Sequence, residues 1–202
     1  MDIKNIKKEW NATILDILKA FIEICNKYHL RYYCCAGTAI GAARHHGMIP
    51  WDDDIDVLMP RPDYDRFLEI ARHEDFGNYE VVTPYNNERY PLYFSKLVNK
   101  NTTLIEEKER PCIIGLFVDI FPFIPYPNVS RSFCKRYGKA MSKCYSILHH
   151  SHQYSWRATF ELFYFGAKYL FCKAMWAAAF ALRKRDTYIS NVLINNGYGI
   201  MH

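Results

Sequence analysis

Residues Pro50–Pro60 read PWDDDIDVLMP, and the organisation of the whole chain follows from this run, in which four carboxylates fall within five residues. Like charges this close repel by about 1 kcal/mol per pair even in water. A fold has little reason to keep such a cluster unless a cation or a reaction uses it. Because proline is rare inside helices and the residues after the acids favour sheet, the run predicts a short strand.

Strand geometry divides the four acids, since successive side chains alternate between the two faces of a strand. Asp54 and Asp56 project to one face, and Asp52 joins them if the strand reaches that far. Ile55 and Val57 then point to the opposite, buried face. Two carboxylates on one strand face offer the oxygen ligands that a hard divalent cation prefers. The sequence therefore predicts a metal site on this strand.

A glycine-containing turn precedes the acidic run. Residues 30–35 form an aromatic, β-favouring segment, and the mostly small residues of Ala36–Gly47, AGTAIGAARHHG, follow it. We expect Thr38 to be the N-cap of a short helix and Gly47 to be the left-handed residue that ends it. A strand, a turn and a helix N-terminus in this order can form a phosphate cradle, although an ordinary turn has the same signature.

A further acidic residue lies alone in the apolar run Cys112–Phe121, CIIGLFVDIF, which predicts a strand closed by Pro122. Burying an unpaired carboxylate is expensive, so Asp119 needs a partner in the fold. One interpretation is a structural salt bridge. The other is a third carboxylate that faces the same cation as Asp54 and Asp56.

The other segments are predicted from hydrophobic periodicity. We expect helices over 10–29 and 61–71, strands over 79–83, 92–98 and 102–105, and helical structure from residue 131 onward, including 160–182. The last helix is strongly apolar, but two interior lysines argue against a membrane span. It is expected to be buried or to contact a membrane surface through residues 160–185, where a basic cluster at 183–185 can meet anionic lipid. His149, His150 and His152 are expected to lie in a surface loop.

The composition is that of a folded protein and excludes several classes. Half of the 202 residues are apolar and 16% are aromatic, which excludes a disordered chain. The net charge of +5 is spread along the sequence without a basic tract, so an anionic small substrate or a membrane surface is favoured over nucleic acid. Seven cysteines without C-x-x-C spacing, and no signal-peptide core, predict a reduced, cytoplasmic protein.

Three known acidic motifs compete for the central run. An EF-hand loop that begins at Asp52 needs glycine at its sixth and glutamate at its twelfth position, where this chain has Val57 and Asp63. The D-D-x-x-D pattern of prenyl-diphosphate enzymes belongs to long helices, whereas prolines bracket this β-favouring run. A D-x-D site for a metal–nucleotide sugar, as in many glycosyltransferases, fits the residues and stays open.

Two stretches, Ala36–Val57 and Met59–Tyr64, resemble the signature of the LicD family, which includes phosphorylcholine transferases and is similar to fukutin and the fukutin-related protein. Tyr93–Leu97 and Phe117–Pro122 resemble later blocks of that family. The resemblance implies an α+β fold, a nucleotidyltransferase-like mixed sheet flanked by helices. We expect a catalytic core over residues 1–128 and a helical region over 129–202 that packs on it.

The resemblance also implies roles for the residues already singled out. Three carboxylates are expected to be catalytic and to bind Mg²⁺ or Mn²⁺: Asp54, Asp56 and Asp119. Four residues are expected to bind substrate, the last two as lesser candidates for which a salt bridge is the alternative: Gly37, Thr38, Arg44 and Lys96. Asp52 and Asp53 are expected to support or cap the turn.

The implied donor is CDP-choline or a related CDP-alcohol, and the implied acceptor is a hydroxyl of a surface glycan or a teichoic-acid-like polymer. The hypothesis is metal-dependent transfer of a phosphoryl-alcohol group, in the cytoplasm or at the inner face of the membrane. A rival of another class is a non-catalytic member that binds a nucleotide or glycan. It is favoured by the lack here of the tract, near Tyr-Gly-Asp and Pro-Pro motifs, with which family members usually continue.

Overall fold

A mixed β-sheet with helices against it forms the fold, which confirms the predicted α+β class. The computed structural model describes residues 3–90, 92, 94–105, 112–125, 132, 135–136, 139, 156–181 and 188–190. The histidine cluster at 149–152 and the basic cluster at 183–185 lie outside the described residues.

The described helices are α1 (Ile3–Lys27), α2 (Ala36–His45), α3 (Arg61–His73) and α4 (Trp156–Ala181). The described strands are β1 (Tyr33–Cys34), β2 (Asp56–Pro60), β3 (Tyr79–Val82), β4 (Ser95–Asn99), β5 (Leu104–Ile105), β6 (Ile113–Ile114), β7 (Phe117–Pro125) and β8 (Tyr188–Ser190). The strand order is β1-β2-β7-β4-β3, while β8 pairs with β7, and β5 and β6 form a small sheet of their own. The acidic strand β2 therefore lies next to β7 inside the sheet.

The chain divides into two compact units. One consists of Met1–Asn87 and Phe94–Pro122, and the other consists of Glu88–Tyr93 and Phe123–His202. All seven residues predicted for the site belong to the first unit. The expected packing of residues 129–202 on a core of residues 1–128 stays a prediction.

Helix α1 covers one face of this sheet through an apolar stripe. Ile14, Ile17 and Phe21 are buried at three- and four-residue spacings, and they join Val57 of β2 in the core. Burial of each such side chain contributes about 1.5–3 kcal/mol. The helix begins at Ile3 rather than near residue 10, and Ile3, Ile6 and Trp10 extend the three- and four-residue apolar spacing to this end.

Both predicted caps of α2 are wrong. Cys35 is the N-cap, and Thr38 lies inside the first turn because its hydroxyl accepts a hydrogen bond from the backbone of β2 instead of capping the helix. The left-handed residue at the other end is His46, with φ 53° and ψ 31°, rather than Gly47. Histidine is one of the non-glycine residues enriched in that conformation.

The predicted strand over Cys112–Phe121 is in fact two strands, and Pro122 does not end the second. The chain bends at Gly115, where an added Cβ would overlap the carbonyl oxygen of Asn99. Pro122 is tolerated inside β7 because the ladder with β4 ends at Ile120 and the ladder with β8 begins at Phe123. A residue without an N–H group fits between them.

Helix α4 differs from the expected buried helix. The side chains that the structure describes on it are exposed or half-buried, with Trp156 94% exposed and Phe160, Phe163 and Phe171 also exposed. None of the described helices combines the length and the apolar character that crossing a membrane requires. The alternative expectation, contact with a membrane surface, stays a prediction.

Candidate functional site

Three carboxylates from two strands converge on one side of the sheet. Asp54 precedes β2, Asp56 is its first residue, and Asp119 lies on β7. Their carboxylate oxygens lie within 4.8 Å of one another. The backbone explains this, because the Asp119 N–H donates to the Ile55 carbonyl at 2.9 Å, so that the residues on both sides of Ile55 point towards Asp119.

The chemistry of these donors fits a hard cation. Three carboxylates in a half-buried to buried place are oxygen ligands of the kind that Mg²⁺ and Mn²⁺ prefer. Asp52, Asp53 and Asp54 form a neighbouring group, also within 4.8 Å, so Asp54 belongs to both. Asp52 also closes the turn, since its N–H donates to the Ile49 carbonyl at 3.0 Å.

The cluster is electrostatically costly without a cation. Burial, followed by the charges of Asp54 and Asp119, raises the pKa of Asp56 to about 7, and Lys96 opposes this shift. The pKa of Asp54 is also raised, first by burial and then by Asp52 and its neighbours. Asp54 and Asp56 therefore resist ionisation, and a bound cation would relieve the repulsion between the carboxylates.

Lys96 supplies the positive charge that the cluster contains. Its ammonium lies 2.7 Å from Asp119 Oδ1, and the two residues face each other across the β4–β7 pair. The lysine side chain is only 1% exposed, and its nitrogen lies 3.1 Å from the centroid of the Phe117 ring. Asp119 thus takes part in a buried salt bridge, as the first interpretation predicted, and its carboxylate also lies near those of Asp54 and Asp56. That it faces the same cation as they do stays a prediction.

Helix α2 holds the acidic strand by its backbone. The Asp56 N–H donates to Thr38 Oγ1 at 2.8 Å, and the Cys35 N–H donates to the Asp56 carbonyl at 3.2 Å. The first turn of the helix and the first residue of β2 are therefore fixed to each other. Phosphate binding by Thr38 stays a prediction, but its position beside the carboxylates is a structural fact.

Replacing Thr38 by valine is expected to destabilise the protein by about 1–3 kcal/mol, because the partly buried Asp56 N–H loses its acceptor while the shape of the side chain is kept. Mn²⁺ binding should weaken as Asp56 becomes less firmly placed. Urea unfolding and a Mn²⁺ titration measure the two effects. Thr38→Ser is the matched control, since it keeps the hydroxyl. Equal stability and equal Mn²⁺ affinity of the two variants would show that this hydrogen bond does not position Asp56.

Two glycines let α2 pack closely against the acidic loop, the segment 46–55 that leads into β2. A Cβ added at Gly37 would overlap the carboxylate of Asp52, and one added at Gly41 would lie 2.5 Å from the Gly47 carbonyl oxygen. Close packing against Asp52 therefore explains why a glycine suits position 37. Its role in phosphate binding stays a prediction. Arg44 is exposed in the last turn of α2, and no contact with the carboxylates is found for it among the described residues.

The sequence did not reveal that α1 also holds the acidic loop. Trp10 Nε1 donates to the Asp53 carbonyl at 2.8 Å, and Lys7 Nζ donates to the Asp52 carbonyl at 3.2 Å. These pairs are 43 and 45 residues apart, so no local pattern connects them. Trp51 precedes the acidic residues directly. Its side chain is 77% exposed beside the acids, and His45 meets its ring edge to face at 6.0 Å.

Comparison with known proteins places the sequence in a family. The model of a family described as LicD/FKTN/FKRP, nucleotidyltransferase domain, matches residues 29–163. The lipopolysaccharide cholinephosphotransferase LicD of Haemophilus influenzae is 36% identical over 122 residues, which cover 60% of this chain and 45% of that protein. An uncharacterised protein of Rickettsia typhi is 34% identical over 117 residues, which cover 58% of this chain and 36% of that protein. The chain spans less than half the length of these relatives.

Proposed function

This chain belongs to the LicD/FKTN/FKRP nucleotidyltransferase family, and from that premise we propose that it transfers a phosphocholine-like group from a CDP-activated donor to a hydroxyl of a cell-surface glycan. The observation that carries the proposal is the convergence of Asp54, Asp56 and Asp119 within 4.8 Å. The similarity to a cholinephosphotransferase supports choline phosphate as the transferred group and lipopolysaccharide as the kind of acceptor.

In this proposal the three carboxylates would hold Mg²⁺ or Mn²⁺, and the ion would supply positive charge for the diphosphate of the donor. The transferred phosphoryl group would pass to the acceptor hydroxyl, and CMP would leave. Asp119 is also the proposed base that accepts the proton of the acceptor hydroxyl. The adjacent Lys96 ammonium, 2.7 Å away, compensates the charge of that carboxylate. Asp56 is kept in place through its backbone bond to Thr38.

The N-terminus of α2 is the proposed phosphate-binding element. Its first backbone N–H groups have no carbonyl partner within the helix, and the helix dipole favours an anion there. Gly37 lies in this first turn, and the Asp52 carboxylate lies against it where a Cβ would otherwise be. Thr38 accepts the Asp56 N–H through its oxygen and can still donate its own hydroxyl hydrogen.

The function is tested by CMP release. Purified protein is incubated with CDP-choline, Mn²⁺ and a lipopolysaccharide acceptor, with each component omitted in turn. CMP release that requires both the cation and the acceptor is expected. Turnover of a UDP-sugar but not of CDP-choline would contradict the proposal and would indicate a D-x-D glycosyltransferase instead. Donor binding without turnover, whatever acceptor is added, would replace it by a non-catalytic binding protein.

We also propose that α4 contacts a membrane surface. Its exposed aromatic side chains, among them Trp156, Phe160 and Phe163, accompany the basic residues Lys168 and Lys173 on a helix of 26 residues. Such a combination suits an interface with anionic lipid. The protein is expected to float with vesicles that contain phosphatidylglycerol and less with pure phosphatidylcholine. Phe160→Glu should reduce flotation, whereas equal flotation of the variant would contradict a role for α4.

A further inference from the structure

Lys96 is a lysine in an unusual place. It lies on β4 opposite Asp119 of β7, with its ammonium 2.7 Å from Asp119 Oδ1. Lysine normally keeps its ammonium in water, but this side chain is 1% exposed and fully within the first unit. Among the basic residues that the structure describes, Lys96 is the one that is buried. Its charge is therefore directed at the acidic cluster and not at solvent.

Two aromatic rings also lie near the ammonium. The Lys96 nitrogen lies 3.1 Å from the centroid of the Phe117 ring and 5.6 Å from that of Phe94. Phe94 is itself packed against Phe121, with ring centroids 4.3 Å apart. The faces of these rings attract a cation. A lysine held in this way would have to leave its ion pair and both rings in order to reach the phosphate of a donor.

Lys96 offsets part of the negative charge of the site. Asp54, Asp56 and Asp119 carry three negative charges when all are ionised, and the Lys96 ammonium lies against one of these carboxylates. The Asp52 carboxylate, which lies near that of Asp54, adds a further negative charge. Without Lys96 the carboxylates of the metal-free site would repel one another more strongly.

From this geometry we propose that Lys96 is a built-in counter-ion of the metal site, which stabilises the metal-free protein and weakens the binding of the divalent cation. The inference rests on the metal site of the proposed function and deepens it by assigning the residue that sets the cation affinity. Lys96 is thus a positioning and charge-balancing residue. Because it shares the Asp119 carboxylate with the proposed cation, the two positive charges compete for the same ligand.

The test is an equilibrium Mn²⁺ titration of the whole chain without donor or acceptor, read from the electron paramagnetic resonance signal of free Mn²⁺. Lys96→Gln removes the charge but can still donate a hydrogen bond to Asp119, and Lys96→Arg keeps the charge. Lys96→Gln is expected to bind Mn²⁺ about tenfold more tightly than the wild type or better, because a like charge within a few ångströms of the cation is removed. Lys96→Arg is expected to stay close to the wild type.

Thermal unfolding gives a second readout that does not depend on catalysis. Without metal, Lys96→Gln should unfold at a lower temperature than the wild type, and saturating Mn²⁺ should raise its midpoint by more than it raises that of the wild type. If Lys96→Gln does not fold without metal, recovery of a folded chain on addition of Mn²⁺ alone supports the same conclusion. Failure to fold with Mn²⁺ present would overturn it.

Three other results would also overturn the proposal. Weaker Mn²⁺ binding by Lys96→Gln would mean that Lys96 only holds Asp119 in position. Unchanged Mn²⁺ binding with loss of CDP-choline binding would make Lys96 a phosphate ligand, as first predicted. Absence of Mn²⁺ binding by the wild type would overturn the metal site itself, whereas normal wild-type binding with no gain in Lys96→Gln would overturn this inference alone.

Discussion

Replacing Asp54 or Asp56 by asparagine is expected to lower cation-dependent transfer by at least about 10²-fold, the usual cost of removing one group from a preorganised electrostatic site. Each variant removes one of the three carboxylates whose oxygens lie within 4.8 Å of one another. The side-chain shape is kept, so the chain should fold. Initial rates of CMP release at saturating Mn²⁺, with circular dichroism to verify folding, measure the effect.

Asp53→Asn is the matched control for these two variants. Asp53 belongs to the same acidic run but is exposed, and it does not belong to the group formed with Asp119. The control should keep most of the activity, because its backbone carbonyl still accepts the bond from Trp10. Full activity of both the Asp54 and the Asp56 variants would show that these two carboxylates are not needed for the reaction.

The same Asp56→Asn change is expected to stabilise the metal-free protein at pH 8 by about 1–2 kcal/mol, allowing for partial exposure of the group. Burial and neighbouring acids raise the pKa of Asp56 from 3.8 to about 7 in the folded chain. The unfolded chain loses this proton at lower pH than the folded chain does. The wild type therefore loses stability as the pH rises from about 4 to about 7, and the loss is complete above about 7.

Asparagine cannot ionise, so the variant lacks this loss. The difference in unfolding free energy between Asp56→Asn and the wild type should be small near pH 4 and largest above pH 7, in buffers that contain a metal chelator. Saturating Mn²⁺ should reverse the order at pH 8, since it stabilises the wild type more. Equal unfolding midpoints of the two proteins at pH 8 without metal would show that Asp56 carries no such electrostatic cost.

The placement of Asp54 and Asp56 on the same face could be predicted from the sequence because it depends on local strand geometry. Strand alternation alone places Asp54 and Asp56 on one side, and Ile55 and Val57 are buried as that alternation requires. Asp119 could be singled out because a lone carboxylate in an apolar strand needs a partner. The α+β fold was implied by the family resemblance.

What the sequence could not give are contacts between residues far apart in the chain. Lys96 looked like a surface cation, because nothing local indicates that β4 lies beside β7 and faces Asp119. Thr38 has the signature of an N-cap, but its hydroxyl is used by the N–H of Asp56, eighteen residues later. Trp10 lies 43 residues before its partner carbonyl. Such pairings are set by the tertiary packing that overrides local propensity.

These hydrogen bonds hold the acidic loop from two sides. Helix α2 fixes the start of β2 through Thr38, and α1 fixes the carbonyls of Asp52 and Asp53 through Lys7 and Trp10. Four carboxylates close together would tend to move apart if the backbone were free. The fold thus holds the acids near one another, where a bound cation would reduce their repulsion.

Mn²⁺ binding to Asp119→Asn is the most direct test of a metal site formed by the acidic run and β7 together. This residue lies on a different strand from the acidic run, so its contribution can come only from the three-dimensional site. Equilibrium titration should show Mn²⁺ binding by the wild type and a loss of at least about tenfold in affinity for Asp119→Asn, since even outer partners of a metal contribute that much. A folded Asp119→Asn chain that binds Mn²⁺ as tightly as the wild type would contradict a site built from both strands.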